Sequence, residues 1–185
     1  MVVKYKRHKK QNDYISIIIP VDNLPAIFVN LRNKYDFFAS VGVPTHITFL
    51  YKIPLDVYYK KESNIKIVLK KILKIFNKID TFTNDIIKIP KMYALELNKT
   101  LLDIIIKIQK IMCKYLDIKD KKYNDINFRP HITLFTGAKN PGWEKIKELN
   151  LKKHLPIKLN LSEIRILRIN PRQSIPTTIH KITIK

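Results

Sequence analysis

The chain has 185 residues, of which 45% are hydrophobic, enough for one compact domain with a buried interior or for two small lobes that share a core. Its 36 Lys and Arg outnumber its 15 Asp and Glu, and the formal net charge of +21 favours an anionic partner. The single cysteine, Cys113, excludes an internal disulfide framework and thiolate zinc sites, and no segment reads as a signal peptide or membrane span.

The first half of the chain alternates between segments of strand and helix type. The β-branched run 15–19 is typical of a buried strand. Apolar residues at three- and four-residue steps predict a helix over 25–35, in which Pro25 suits the first position. A second strand is predicted from residue 46 to about 51. A further helix is predicted over 63–79, where the first residue is a serine suited to capping.

The second half repeats this order. A strand is predicted over 92–97, followed by a helix that Thr100 caps and whose buried face includes Ile111 and Tyr115. A polar loop then leads to a strand that begins at residue 131. A short helix and two β-rich segments close the chain, at 143–149, 157–169 and 179–184.

The tripeptide His-Ile-Thr occurs twice, at 46–48 and at 131–133. One copy would be a weak motif, but each copy follows a proline by one or two residues and opens an apolar run. Both copies also occupy the same place in the predicted order of elements. We therefore predict an internal duplication, with halves of about 11–90 and 91–185 and with the two motif strands as neighbours.

Strand geometry predicts which motif residues act together. Side chains alternate along a strand, so His46 and Thr48 project from one face while Ile47 points into the core. The same alternation places His131 beside Thr133. If the two motif strands are neighbours, the four polar side chains share one cleft.

Two imidazoles and two hydroxyls suit in-line displacement at a phosphodiester. A neutral imidazole takes a proton from the attacking hydroxyl or water, and a protonated one donates to the departing oxygen. Threonine hydroxyls can hold the nonbridging oxygens, where negative charge accumulates. Because side chains perform both proton transfers, no metal or cofactor is required. A lone histidine on an apolar strand is more often a core residue, but the matched pair favours the catalytic interpretation.

The segments 44–51 and 129–135 resemble the paired motifs of the 2H phosphoesterase superfamily, which includes 2′-5′ RNA ligase-like (LigT-like) proteins. The resemblance implies an α+β, bilobal fold in a single domain over residues 1–185, with two pseudo-symmetric βα lobes and antiparallel sheets flanking a central cleft. It also implies a metal-independent phosphodiesterase without a cofactor. By the same resemblance, the acid/base pair would be His46 and His131, and the phosphate ligands would be Thr48 and Thr133.

Five residues around the motifs are candidates for substrate contact. Tyr51, Phe135 and Trp143 could stack on a base, which is worth roughly 1–3 kcal/mol. Arg129 and Arg168 could contact phosphate or base, although a surface role is favoured for both. Regular alternation places Phe135 on the cleft face and Tyr51 on the opposite face. Core packing is nevertheless the favoured role for Phe135, with the cleft position as the alternative.

The C-terminal segments 166–170 and 178–182 are similar to the closing strand pair of LigT-like members. The sequence departs from that pattern at His180, which stands where many members carry an aromatic residue. A stacking contribution from the tail is therefore not predicted.

These features lead to one main hypothesis and two alternatives. The main one is cleavage of 2′-5′-linked or cyclic nucleotides, since members of the superfamily degrade 2′-5′ oligoadenylates and some viral relatives are associated with cyclic-dinucleotide immune messengers. The alternatives are a 2′,3′-cyclic phosphodiesterase that processes RNA ends, and an inactive basic RNA-binding module. An A/T-rich coding sequence would also explain the lysine excess and is compatible with a viral origin. We expect a cytoplasmic monomer, in the host cytoplasm if viral, that does not associate with membranes.

Overall fold

The computed structural model describes residues 13–90, 92–118, 129–136, 144, 147–170 and 175–183. Within these ranges the protein is α+β. The strands are β1 Tyr14–Pro20, β2 His46–Pro54, β3 Phe82–Ile89, β4 Met92–Leu97, β5 His131–Thr136, β6 Ile157–Lys158, β7 Glu163–Ile169 and β8 Thr177–Thr183. The helices are α1 Ala26–Tyr35, α2 Phe37–Ser40, α3 Leu55–Phe76 and α4 Lys99–Leu116, together with a 3₁₀ turn at Leu151–His154.

The strands of the described ranges form one open sheet in the order β6-β3-β4-β5-β2-β1-β7-β8. Each neighbouring pair is antiparallel. The sheet does not separate into the two predicted halves of the sequence, which meet near residue 90. Strand β3 of the first half pairs with β4 of the second half, and β7 and β8 of the second half lie beyond β1 of the first. The two motif strands, β2 and β5, are central neighbours, paired at Ile47 and Ile132. The prediction that they lie side by side is confirmed.

The predicted order of strand, helix and motif strand occurs twice, as β1-α1-β2 and β4-α4-β5. Each helix packs on the motif strand of the other repeat. The Tyr35 ring of α1 meets the Phe135 ring of β5 at a centroid distance of 6.1 Å. In the reciprocal contact, Gln109 of α4 donates a hydrogen bond to the Phe49 carbonyl of β2. The repeats therefore interlock through their helices.

Helix α3 begins at Leu55, one residue after β2 ends, so the start predicted at Ser63 is wrong. Pro54 occupies the N-cap position, and Asp56 lies in the first turn, where a carboxylate interacts favourably with the helix dipole. The apolar stripe extends back into this turn through Tyr58, which is fully buried. Ser63 therefore lies within the helix, eight residues after its start, and does not cap it.

Strand β3 was not predicted from the sequence. Its polar residues interrupt the two-residue alternation, and the pairing with β4 shifts register between Thr83 and Asp85. Such an irregularity moves the apolar residues out of phase. The segment therefore has no clear strand periodicity, although Ile86 is buried.

Helix α4 also differs from the prediction in its start and its buried face. Its N-cap is Asn98 rather than Thr100, and the Asn98 amide bridges the Phe82 N–H and the Asp80 carbonyl. Ile111 and Tyr115 are exposed, because the buried stripe instead follows Leu101, Ile105, Gln109, Met112, Cys113 and Leu116. Burial of Cys113 agrees with its predicted core position.

No helix in the described part of the chain is both long enough and apolar enough to span a bilayer.

Candidate active site

The motif strands share a pattern of burial and an irregularity. In both, the histidine and threonine are partly exposed while the isoleucine between them is buried. In β2, Thr48 and Leu50 pair with consecutive residues of β1, which makes Phe49 an extra residue. In β5 the extra residue is Leu134, at the same distance from its motif histidine. Each motif strand therefore carries a bulge immediately after its His-Ile-Thr.

The bulges reverse the predicted orientation of two residues. An extra residue shifts the strand's alternation by one position. Tyr51 consequently lines the same cavity as the motif side chains, whereas regular alternation placed it on the opposite face. Phe135 is 0% exposed and packs against Tyr35 and Tyr93 with ring centroids 6.1 and 5.4 Å apart. Core packing of Phe135 is therefore confirmed and its alternative cleft position is wrong, and Thr136 lines the cavity instead.

Two buried side chains hold the bulge of β2. Gln109 Nε2 donates to the Phe49 carbonyl at 2.7 Å, and Ser16 Oγ donates to the Leu50 carbonyl at 3.1 Å. A bulge disrupts the hydrogen-bond ladder, and buried carbonyls left unpaired are costly. These contacts stabilise the backbone that presents the first motif.

The four motif side chains line one cavity of about 260 Å³. Its lining includes residues of β5, β2, β1 and β7, and the four motif side chains project from the two central strands. Beyond the histidines and threonines, most of the lining is apolar. The other lining residues are Ser16, Ile18, Asp36, Phe38, Val43, Tyr51, Met92, Pro130, Thr136, Leu167, Ile169 and Pro176.

Both motif histidines are oriented by the backbone in the same way. His46 Nδ1 lies 2.8 Å from the Pro44 carbonyl oxygen, and His131 Nδ1 lies 2.7 Å from the Arg129 carbonyl oxygen. A carbonyl only accepts, so Nδ1 carries the proton in each ring. Nε2 is then the nitrogen at which each imidazole gains or loses a proton.

A buried ion pair lies behind the first motif. Arg32 is 3% exposed, and its Nε lies 3.1 Å from Asp36 Oδ2. Its Nη1 donates to the Val43 carbonyl at 2.9 Å and lies 3.5 Å from Thr45 Oγ1. Asp36 in turn accepts a hydrogen bond from Thr136 Oγ1 at 3.3 Å. The pair thus connects α1 to the segment that leads into His46.

Burial lowers the pKa of His46 to about 4. Loss of solvation disfavours the imidazolium, and the positive charges of Arg32 and His131 add to the effect. The hydrogen bond to Pro44 opposes the shift but does not cancel it. The imidazole of His46 is therefore neutral at pH 7.

Of the other three residues predicted to contact substrate, two lie away from the cavity and one lies outside the described residues. Arg129 is exposed and pairs with Glu96, with 3.2 Å between Nη1 and Oε1. Arg168 pairs with Asp13 at 2.7 Å and borders a separate cavity of about 300 Å³. Both arginines therefore form surface ion pairs and are not among the described residues that line the motif cavity. Trp143 lies outside the described residues.

The sequence interpretation missed several residues of the site. Thr136 stands five residues after His131, as Tyr51 does after His46, so aligning the two repeats would have found it. Asp36 and Phe38, which line the cavity, have no motif that would indicate their positions. His180 pairs with Glu62 of α3 at 2.7 Å, which accounts for a polar residue at that position.

No protein-family model matches the chain, and no curated protein matches its sequence.

Proposed function

We propose that the protein is a metal-independent phosphodiesterase of the 2H type, which cleaves 2′-5′-linked or cyclic nucleotides. The observation that carries the proposal is the convergence of two His-Ile-Thr motifs on adjacent strands facing one cavity. The matching orientation of the two imidazoles supports it, because a shared tautomer presents Nε2 of both rings for proton transfer.

The proposed reaction is an in-line displacement at phosphorus. One imidazole accepts the proton of the attacking water or hydroxyl as the new P–O bond forms. The other donates a proton to the departing oxygen as the old P–O bond breaks. Each role contributes roughly 100- to 10,000-fold in rate. Thr48 and Thr133 donate hydrogen bonds to the nonbridging oxygens, where negative charge increases in the transition state.

The size and lining of the cavity favour a small nucleotide. Its volume of about 260 Å³ lies just below the range of about 300–1,000 Å³ typical of small-molecule sites. Tyr51 and Phe38, which is 47% exposed, offer aromatic surface for a base at the cavity wall. Leu167 and Ile169 add apolar surface over β7. A cavity of this size suits one nucleotide unit with its phosphate, and we propose that it takes this part of a short oligonucleotide or cyclic dinucleotide, including the 2′-5′ oligoadenylate class.

The interlocked repeats support a bilobal fold with two pseudo-symmetric lobes. The sheet order reads outward from its centre as β2-β1 on one side and β5-β4 on the other, with equivalent helices. Such an arrangement is compatible with two lobes related by a pseudo-twofold axis. The proposed enzyme acts as a monomer in the cytoplasm.

The decisive experiment is a substrate screen in chelator. Purified protein would be incubated with 2′-5′ oligoadenylate, a mixed-linkage cyclic dinucleotide and a 2′,3′-cyclic mononucleotide, each with excess EDTA. Loss of at least one substrate is expected in the wild type, and no loss in a His46→Ala/His131→Ala variant. Turnover that disappears with EDTA, or that persists in the double variant, would contradict the proposal.

The net charge of +21 favours a second candidate, in which the substrate or ligand is RNA. An RNA-end enzyme would open terminal 2′,3′-cyclic phosphates on long RNA better than on mononucleotides. A binding module would retain salt-dependent RNA binding after both histidines are replaced and would hydrolyse no 2′-linked phosphate. Comparing an end-labelled long RNA with a dinucleotide distinguishes the three functions.

A further inference from the structure

The two motifs are identical in sequence, but their surroundings differ. The buried guanidinium of Arg32 lies behind the His46 segment and supplies one of the charges that act on His46. The arginine that precedes the second motif, Arg129, is exposed and paired with Glu96. The environment therefore distinguishes two imidazoles that the sequence leaves equivalent.

Arg32 contacts the backbone that orients His46. Its Nη1 donates to the Val43 carbonyl and approaches Thr45 Oγ1, so the contacts lie on both sides of Pro44. The Pro44 carbonyl accepts the Nδ1–H of His46 at 2.8 Å. A shift of Arg32 would therefore move the acceptor that determines the ring's orientation and tautomer.

The charged groups around His46 leave an excess of positive potential. Helix α1 contributes Arg32, Asp36 caps α2, and β5 contributes His131. Asp36 is engaged by Arg32 and by Thr136, while Nη2 of Arg32 is buried without a hydrogen-bond partner. A proton added to His46 would meet this potential in a poorly solvated site.

We propose that Arg32 is the positioning residue that keeps His46 neutral and fixed in orientation, which makes His46 the proton acceptor and His131 the proton donor. The assignment of roles depends on the proposed function. The neutral state of His46 does not, because it follows from contacts present without substrate. Burial and the Arg32 charge both lower the pKa of His46, in agreement with this role.

The test is an NMR titration of the histidine rings in three proteins: wild type, Arg32→Gln and Arg32→Lys. The His46 resonance is assigned from its absence in His46→Ala. Wild type is expected to titrate at His46 near pH 4. Arg32→Gln removes the charge, so its His46 should bind protons a few-fold more tightly, while burial, the larger cause of the shift, keeps the midpoint below 6.5. Arg32→Lys keeps the charge and should remain close to wild type.

Arg32→Gln leaves Asp36 buried without its partner, which can unfold a protein. The double variant Arg32→Gln/Asp36→Asn replaces both charges with amides and serves as the second test. It should show an upward displacement of the His46 midpoint that is smaller than in Arg32→Gln, because the opposing charge of Asp36 is removed as well.

A His46 midpoint that is near 6.5 in wild type, or unchanged in the folded charge-free variant, would overturn the proposal. The acid limb of kcat/KM provides the enzymatic readout and should move to higher pH together with the NMR midpoint. If the NMR displacement occurs but no phosphodiester is cleaved, the electrostatic role stands and the proposed function fails. If cleavage occurs without any displacement, the function stands and the role of Arg32 fails.

Discussion

Single residues determine whether the cavity can perform acid/base chemistry. His46 and His131 present Nε2 because backbone carbonyls hold Nδ1 in both rings. Each is expected to serve one proton transfer, so neither can replace the other. The two threonines provide hydroxyl donors within the same cavity.

Replacing either motif histidine by alanine should reduce kcat/KM at least about 100-fold, because one proton transfer loses its catalyst. The fold should persist, since both side chains are partly exposed at the cavity. Steady-state kinetics and circular dichroism would measure the two effects. His180→Ala is the matched control, because this imidazole pairs with Glu62 and does not line the motif cavity. Comparable losses in the control and the motif variants would contradict the prediction.

The low pKa of His46 also affects stability. The unfolded chain binds a proton at this residue near pH 6.5, whereas the folded protein resists binding until about pH 4. The contribution of the neutral ring is thus complete above pH 6.5 and is lost as the pH falls toward 4. Between pH 7 and pH 5 the loss should be about 1–2 kcal/mol, after allowance for partial exposure.

Urea unfolding of wild type and His46→Gln at both pH values would measure this contribution. The variant lacks the titrating ring, so its stability should fall less between pH 7 and pH 5. Equal losses in the two proteins would show that His46 titrates normally in the folded state.

At the scale of elements, the bulge in β2 brings Tyr51 to the cavity and leaves two carbonyls that need donors. Gln109→Met keeps the size of the side chain but removes the donor to Phe49. An unsatisfied buried carbonyl costs about 1–3 kcal/mol, and a relaxed bulge would misplace Tyr51. We therefore expect lower stability together with a raised KM, measured by denaturation and steady-state kinetics.

The matched control for Gln109→Met is Met112→Leu on the same buried stripe of α4. This exchange nearly conserves volume and should cost less than about 1.5 kcal/mol without changing KM. If Gln109→Met destabilises the protein to the expected extent but leaves KM at the wild-type value, the bulge does not control the cavity.

The elements also show which predictions a sequence supports. The repeated motif and its apolar flanks correctly predict two neighbouring strands with histidine and threonine on one face. The bulges leave no such signal, because Phe49-Leu50 and Leu134-Phe135 are apolar pairs that fit a regular strand equally well. In the sequence, Arg32 looks like an ordinary polar residue of α1. Its role could not be predicted, because it depends on a contact with the Val43 carbonyl that only the folded chain forms.

At the scale of the whole molecule, helix packing joins the two repeats more than the pairing of the two central strands does. Strands β2 and β5 pair at one position, Ile47 with Ile132. Helices α1 and α4 cross between the repeats, with contacts to β5 and β2 respectively. The two histidines are therefore fixed by a shared core, which suits chemistry that needs both rings on one phosphorus atom.

The charge of the whole molecule should act on encounter with substrate more than on the chemical step. At +21, the protein attracts oligonucleotides at long range, and added salt screens this attraction. For a substrate with two or three phosphates, kcat/KM should fall roughly 7- to 20-fold between 50 and 200 mM salt. The saturated rate, kcat, should change little because the substrate is already bound.

A charge-reversal variant tests where this attraction arises. Lys70 and Lys74 are exposed on α3, and neither lines the motif cavity. Lys70→Glu/Lys74→Glu lowers the net charge by four and should weaken the salt dependence of kcat/KM while preserving kcat. Lys70→Gln/Lys74→Gln, with half that change in charge, should give an intermediate slope. A salt dependence that is absent in wild type, or that does not follow the net charge, would mean that the lysine excess has no part in substrate capture.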